Sequence, residues 1–392
     1  MVVMDCGRVG KGSDVSVSSR RAKRPPRRRT RRTRNMILDE LAEVKRFEGI
    51  GVGSSVLYVG LDVHGRQSTI CILDENGKKL LTYTIRGSWQ KVLAMLSRLK
   101  RPFEICFEAS NGYGYLYDRL CKMSRRVLVA HPGHLRLIFR SKRKNDRVDA
   151  QKLAKLLYLD EVPPVWVPSV DVRAWRGMIE HRGGLVGERT RGKNGVRSLL
   201  RGHGIAAPKG LWTRAGMAWL RGVAMPTEFD GVRRDILVER IESLNGMIKR
   251  VEKVLDEKGR AHSGVNLLMT IPGVGIRTAE AVAAYMDDPR RFGTGKGVAS
   301  YFGLVPCQDE SAGKNRFGHI TRQGPPTVRR LLTEAAWQGV RRSKRIRVYF
   351  ERIQRGDSDR KKIAIVATAH YLVRVMHSML RTGEVWRCDP AA

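Results

Sequence analysis

The sequence has 392 residues, enough for two or three ordinary domains, because a single hydrophobic core stops growing well below that length. Apolar residues make up 42% of the chain and aromatic residues 7%, which excludes wholesale disorder. Lys and Arg number 75 against 38 Asp and Glu, and the resulting net charge of +37 indicates a polyanionic partner, most commonly nucleic acid.

The distribution of apolar residues excludes membrane and secreted proteins. No run approaches the roughly eighteen uninterrupted apolar residues of a transmembrane helix, and the N-terminus has no apolar signal region. The six cysteines are scattered without a C-x-x-C pair, which argues against a disulfide framework or a structural zinc site. We therefore expect a cytoplasmic protein with no membrane partner.

Residues 1–50 differ in composition from the rest of the chain. Ten of the fifteen residues at 20–34 are basic, two are proline, and no apolar face exists at either period. This composition predicts a disordered basic arm. Translation starting at Met36 is an open alternative for the first 35 residues.

Residues 51–160 predict an α/β domain. Three antiparallel strands, the second and third joined by the turn signal Asn76-Gly77, are followed by alternating helices and strands. This is the element order of an RNase H-like, resolvase-like fold, although other α/β folds share parts of it. The predicted elements are strands Val56–His64, Ser68–Leu73, Lys79–Ile85, Phe103–Phe107 and Arg126–Ala130, and helices Trp89–Leu99, Tyr113–Met123 and Asp146–Leu157.

Residues 161–260 predict a basic helical linker. The rigid stretch Pro163–Pro168 marks the boundary that precedes it. Apolar residues lie three or four apart over Arg234–Glu257, a stripe typical of an antiparallel helical arm or of a coiled-coil-like dimer contact.

Residues 261–392 predict a mainly helical C-terminal domain that begins with a helix-hairpin-helix over 265–286. Gly273 and Gly275 at its turn would expose backbone N–H groups to a phosphate. A plain tight turn between two helices is the alternative. A polar loop is predicted over Gln308–Gly318, before the helix that Pro325 and Pro326 open.

Four carboxylates of this cationic chain are placed where α/β enzymes carry active groups. Asp62 interrupts an apolar strand, Glu108 ends the next buried strand, and Asp146 and Asp149 share one face of a helix. Such a set is typical of a cage for two Mg²⁺ ions that catalyse phosphoryl transfer. Each acid alone is more often a cap or a surface ion pair, and the basic residues Lys142, Arg143, Lys144 and Arg147 surround Asp146.

These residues carry a resemblance to a known family. Asp62 in YVGLDVH, Glu108 in FEAS and the two aspartates of KNDRVDA resemble the DEDD domain of the bridge-RNA-guided DEDD/serine transposases, or recombinases, of insertion-sequence family one-hundred-ten. The segments LMTIPGVGIRTAEAVAAY, ASYFGLVP and SAGKNRFGHITRQGPPTVRRLL are similar to the family's C-terminal transposase domain. The resemblance covers roughly residues 56–380.

The resemblance implies that Ser311 is the nucleophile and forms a phosphoserine intermediate, although Ala312 stands where family members more often have glycine. It also implies donor and target DNA and a structured guide RNA. Because the four carboxylates and Ser311 lie far apart in the chain, on either side of the helical linker, we predict a site shared across a homodimer, and a tetramer of two such dimers in the synaptic complex. Two sets of basic residues would bind nucleic acid: Lys142, Arg143, Lys144 and Arg147 in the first half, and Lys314, Arg316 and Arg322, with the turn glycines, in the second.

The function expected from the sequence is therefore DNA transposition by a Mg²⁺-dependent enzyme. Two other functions stay open: a structure-specific nuclease such as a junction resolvase, which would use water and would not need Ser311, and a non-catalytic nucleic-acid-binding protein. His64 lies two residues after Asp62 and would share its face of the strand. Whether His64 supports the metal ligands also stays open.

Removal of residues 1–35 tests the predicted arm. Because a solvated polycation adds only phosphate contacts, we expect the truncated protein to keep its thermal stability and strand transfer. It should bind non-specific DNA more weakly, with a flatter dependence of log K on log salt concentration. A lower melting temperature, or complete loss of activity, would contradict this prediction.

Overall fold

The computed structural model describes residues 45–110, 112–138, 145–311 and 314–387, with the side chains of 309–315 left out of the description. The chain divides into two compact units, Met1–Val167 and Pro168–Ala392. The helical linker and the C-terminal domain expected from the sequence both fall in the second unit. Residues 1–44 of the predicted arm lie outside the description. Residues 45–48 are helical and Phe47 is buried in the core, so the arm does not extend to residue 50.

The first unit is a mixed α/β domain, as the sequence predicts. Its five-stranded sheet has the order β3-β2-β1-β4-β5, with β1–β2 and β2–β3 antiparallel and β1–β4 and β4–β5 parallel. The elements are β1 Leu57–Val63, β2 Gln67–Leu73, β3 Lys79–Arg86, α1 Trp89–Leu96, β4 Phe103–Glu108, α2 Tyr113–Leu120, β5 Arg126–Ala130, α3 Pro132–Ile138 and α4 Asp146–Tyr158. The short helix α3 has no counterpart among the predicted elements.

Alternation along β1 decides which helices cover which face of the sheet. Leu57, Val59 and Leu61 point into the larger core, which α1 and α2 cover. Gly60 points to the opposite face, where α4 approaches so closely that a Cβ on Gly60 would lie 2.1 Å from the carbonyl oxygen of Ala150. Helix α4 therefore crosses the middle strand of the sheet in direct backbone contact.

The second unit is mostly helical. Its elements are α5 Val170–Gly202, α6 Arg214–Gly222, α7 Glu228–Ala261, α8 Ser263–Leu268, α9 Ile276–Met286, a 3₁₀ turn at Pro289–Arg291, α10 Gly295–Tyr301, β6 Pro306–Ser311, β7 Lys314–Ile320, α11 Pro326–Arg342, α12 Lys344–Gln354 and α13 Lys361–Thr382. Helix α13 is long and apolar enough to span a membrane by composition (mean hydropathy 1.4), and half of that apolar window is buried inside the unit. Its apolar residues belong to the main core of this unit, which accounts for that composition.

Helices α5 and α7 form a long antiparallel arm. Gly192 and Gly195 of α5 admit the side chains of Ile241 and Leu237 of α7, which run in the opposite sense. The apolar stripe predicted over Arg234–Glu257 is used inside the chain: its buried members are Val238, Ile241, Leu244, Ile248 and Leu255. Of the two uses that the stripe left open, the structure contains the intramolecular arm.

The polar loop predicted over Gln308–Gly318 is wrong, because β6 and β7 form an antiparallel hairpin there. Gln308 pairs with Phe317, and Ser311 at the end of β6 pairs with Lys314 at the start of β7. The segment lacks the alternating apolar pattern by which strands are recognised, and Phe317 is 67% exposed. The strands are therefore joined by backbone pairing, and the sequence has no apolar alternation from which they could be predicted.

The contact at Gly60 makes a direct stability prediction. In Gly60→Ala the new methyl group would lie 2.1 Å and 2.3 Å from backbone atoms of Ala150 and Ala154, so α4 must move. We expect the free energy of unfolding, measured by urea denaturation, to fall by about 3 kcal/mol or more. Gly65→Ala is the matched control, because nothing lies within 4 Å of its added Cβ. Similar stabilities for the two variants would contradict the close packing.

Candidate metal centre

Asp62 is the carboxylate that the sheet positions most firmly. It lies at the second-last position of β1, and its side chain is 14% exposed. Burial raises its pKa most; His64 lowers it, and the negative charges of Asp146 and Asp149 raise it again, so the net shift is upward. The metal-free site therefore disfavours the charged form of Asp62.

Helix α4 brings the second pair of carboxylates to the same face. Its first turn carries both acids, and its N-cap is Asn145, whose side chain accepts a hydrogen bond from the backbone N–H of Arg147 at 3.1 Å. Asp146 accepts a hydrogen bond from Gln67 Nε2 at 3.1 Å, while Asp149 pairs with Lys152 at 3.3 Å. The cap fixes where the helix starts, and with it the position of both carboxylates.

Asp62, His64 and Asp146 form the tightest group of potential metal ligands among the described residues. One donor atom from each lies within 4.8 Å of the other two. His64 Nε2 lies 3.3 Å from Asp62 Oδ2 and 3.8 Å from Asp146 Oδ1. Asp62 Oδ2 and His64 Nε2 are shielded from solvent and lie next to each other, and neither has the geometry of a hydrogen bond with any described group. Shielded polar atoms that converge in this way fit a bound cation.

Glu108 reaches this edge of the sheet through strand register. The last β1–β4 pair is Leu61 with Phe107, so Asp62 and Glu108 occupy the next position along the two strands. Glu108 shares the strand face of Cys106, which packs against Leu153 of α4. Glu108 and Asp149 lie outside the group of three described above, so the structure places all four predicted acids on the α4 side without closing them into one cluster.

Sequence reasoning left His64 open and missed Gln67. The spacing of two residues from Asp62 signals that His64 shares its face, and the structure confirms contact with the site. Gln67 begins β2 and donates to Asp146, 79 residues away. No sequence pattern marks such a pairing, because it depends on where α4 begins relative to β2.

The predicted nucleic-acid contacts near this site are only partly described. Arg147 is exposed on α4, next to the two aspartates. Lys142, Arg143 and Lys144 lie outside the described residues. In the second unit, Arg316 and Arg322 are exposed, and Arg322 has a left-handed backbone (φ 55°) that side chains adopt only under local constraint.

The predicted nucleophile lies in the hairpin of the second unit. Ser311 ends β6 and pairs with Lys314, while the side chains of both residues are outside the description. Ala312 and Gly313, between the two strands, are also outside it. The backbone pairing puts Ser311 at the turn end of the hairpin.

The two turn glycines differ in their surroundings. A Cβ on Gly273 would meet the backbone nitrogen of Gly339 in α11 at 2.4 Å, and its φ of +92° also favours glycine. Gly275 precedes α9 and has nothing within 4 Å of an added Cβ. Gly273 therefore has a packing requirement of its own, whereas Gly275 leaves the N-terminus of α9 open.

Comparison with known proteins agrees with this arrangement. Residues 59–205 match a model for the DEDD transposases of IS110, and residues 265–351 match the model described as "Transposase IS116/IS110/IS902 family". The chain is 29% identical over 246 residues to a "Probable family 20 transposase" of Pseudomonas aeruginosa, covering 61% of this chain and 72% of that protein. It is 25% identical to the transposase for insertion sequence element IS1111A of Coxiella burnetii, over 84% of this chain and 91% of that protein. It is 24% identical to the transposase for IS1328 of Yersinia enterocolitica, covering 76% and 86%.

The raised pKa of Asp62 predicts how metal-free stability depends on pH. Because the folded state holds the proton more tightly than the unfolded chain, stability falls as pH rises through the folded-state pKa. We expect Asp62→Asn to stabilise the metal-free protein by about 1 kcal/mol at pH 7, with no gain below about pH 4.

Addition of Mg²⁺ should reverse this order, because the ion stabilises only the folded wild-type site. Thermal unfolding with and without the ion measures both effects. Glu161→Gln, which removes an exposed carboxylate, is the control. It should change neither the stability without metal nor the stabilisation by Mg²⁺. A variant less stable than wild type at pH 7 without metal would contradict the prediction.

Proposed function

The chain belongs to the IS116/IS110/IS902 family of insertion-sequence transposases, and we propose that it cuts and rejoins DNA with a metal site on its first unit and a serine on its second. The observation that carries the proposal is the convergence of Asp62, His64 and Asp146 within the segment that matches the DEDD model. The sheet order β3-β2-β1-β4-β5 supports an RNase H-like assignment for this unit.

Mg²⁺ fits the donor set best. Four of the five candidate ligands are carboxylates, which suit hard cations, and Mg²⁺ is the hard cation that a few carboxylates typically hold together with substrate phosphates. Asp62, Glu108, Asp146 and Asp149 would hold the ion, which would polarise the scissile phosphate and stabilise the departing oxygen. His64 would orient Asp62 and Asp146, since it contacts both carboxylates.

Ser311 would be the group that attacks. Its Oγ forms a bond to phosphorus as the bond to one bridging oxygen of the strand breaks, and the Oγ proton passes to a base or to solvent. The leaving oxygen gains a proton, and the other strand end remains as a phosphoserine ester. The reverse attack by a hydroxyl of the partner strand rejoins DNA without an external energy source. Lys314, Arg316 and Arg322 would neutralise the phosphate during both steps.

The two halves of this chemistry lie in different units, so we propose that they meet between chains. The antiparallel arm of α5 and α7 would let one chain's C-terminal region serve the metal site of its partner in a homodimer. Exchange of strands between donor and target duplexes then requires two such dimers. The predicted tetramer follows from this division of the site.

A structured guide RNA is the partner that we propose for target choice. The net charge of +37 fits a protein that holds nucleic-acid backbones, and base pairing of the RNA would then read the DNA sequence. We propose two places that contact the sugar-phosphate backbone of the nucleic acid. One is the exposed Arg147 with the basic residues before it, Lys142, Arg143 and Lys144. The other is the N-terminus of α9 at Gly275, beside Gly273. The cytoplasm is the compartment where these partners are available.

Mixing two inactive variants tests the shared site. Asp62→Asn damages only the metal unit, and Ser311→Ala only the nucleophile. A mixed dimer with shared sites contains one intact site and one doubly damaged one, so we expect cleavage to return in part, measured on labelled DNA with Mg²⁺. Absence of any restoration would show that each chain carries a complete site.

A second mixture is the control, and an adduct assay separates the rival mechanism. Asp62→Asn mixed with Glu108→Gln should restore nothing, because every metal unit is then damaged. Denaturing gels should show a DNA–protein adduct for wild type and none for Ser311→Ala. Cleavage without any adduct would instead favour a junction-resolving nuclease that uses water.

A further inference from the structure

The free end of the α5–α7 arm is a small folded body of its own. The end of α5, helix α6 and the first turns of α7 share a local apolar core, whose buried members are Val196, Leu200, Leu211, Leu220, Val238 and Ile241. The loop between α5 and α6, residues 203–213, closes over this core. This arm end therefore has a packed core of its own, and none of the chemistry described above uses it.

A cleft of about 510 Å³ opens in this arm end, within the range of roughly 300–1,000 Å³ that is usual for small-ligand sites. Leu200, Ile205, Leu211 and Trp212 are among its apolar lining residues. Arg197, Arg201 and Lys209 are its charged lining residues, and none of its lining residues is acidic. The cleft thus combines an apolar surface with three cations.

The charges of these three cations are not balanced by the described part of the protein. No described carboxylate forms an ion pair with Arg197, Arg201 or Lys209. Other basic residues of the same arm end do have partners: Arg221 pairs with Glu242, and His203 lies 3.2 Å from Asp230. Residues 189–227 contain eight Lys and Arg and no Asp or Glu. An anion from outside the chain would relieve this excess.

The tryptophan that lines the cleft gives a second, independent observation. Lys193 Nζ lies 4.8 Å and Arg197 Cζ 5.6 Å from the centroid of the Trp212 ring, and both cations contact the ring through its π-system. The indole N–H is shielded from solvent without an acceptor among the described residues. Burial, with repulsion from Arg189 and Arg197, lowers the pKa of Lys193, so the cations here are crowded against one another.

We infer that this arm-end cleft binds an unpaired nucleotide presented by a loop of a folded RNA. The apolar lining residues, with Trp212 among them, suit a base, and the three cations suit the phosphates on either side of it. A base inside a duplex cannot enter a cleft of this kind, whereas RNA loops display unstacked bases. The inference rests on the proposed function in one respect, since it takes the RNA partner proposed there and assigns it a place on the arm.

The test measures binding of two hairpin RNAs to the full-length protein by fluorescence anisotropy. The first RNA has a ten-nucleotide loop, and the second has the same stem with its loop closed by base pairing to a complementary strand. The variant Arg201→Ala/Lys209→Ala changes only exposed side chains, so its fold should be retained. Arg191→Ala is the matched control: an exposed arginine on α5 that does not line the cleft.

We expect the double variant to lose about tenfold in affinity for the looped RNA and less than about threefold for the paired RNA. Arg191→Ala should lose less than about threefold for both. A 4-thiouridine in the loop should crosslink to the peptide that contains residues 205–212. A DNA hairpin with the same loop should bind more weakly than the RNA.

Three results would overturn the inference. Equal losses for the looped and the paired RNA would show an ordinary phosphate contact, and a double variant no weaker than Arg191→Ala would show that the cleft is not used. Equal binding of the DNA loop would show that the partner is a single strand of either kind rather than RNA. If wild type binds neither RNA, the proposed guide RNA fails as well, which distinguishes that failure from the other three.

Discussion

The packing of α4 on the bare backbone of Gly60 is the contact on which the rest of the first unit depends. Because Gly60 has no side chain, the helix crosses β1 at backbone distance and Ala150 and Ala154 fit against the strand. Asp62 lies two residues further along the same face, and the first turn of α4 lies above it. One glycine thus determines that carboxylates 84 residues apart in the chain, Asp62 and Asp146, share His64 as a neighbour.

The electrostatics of this site have a cost to folding. A half-buried carboxylate beside two others is destabilising until a cation arrives, as the raised pKa of Asp62 indicates. The chain as a whole is strongly cationic. At the site, the described contacts are one cation, Lys152, on Asp149 and one neutral donor, Gln67, on Asp146. The basic surface of the protein would attract nucleic-acid phosphates, while the carboxylates of the site would attract a metal ion.

In the second unit, too, different residues serve packing and charge. The apolar stripe of α7 is buried against α5, and the glycines at 192 and 195 allow the two helices to approach closely. Apolar packing therefore forms the arm within one chain, which leaves the basic surface of its end available to a partner. The nucleophile candidate lies elsewhere in this unit, in a hairpin whose Phe317 side chain is exposed.

The sequence by itself determined the strands and three of the helices of the first unit, the helical character of the second and the family, and it singled out four carboxylates that the structure places on one side of the sheet. It could do so because buried strands, amphipathic helices and an acid inside an apolar run leave local patterns. It did not determine the hairpin of β6 and β7, whose polar residues carry no alternation, nor the contact between Gln67 and Asp146. Only the tertiary structure decided those, and also which use the stripe of α7 serves, because each depends on surfaces that are far apart in the chain and meet only after the backbone has packed.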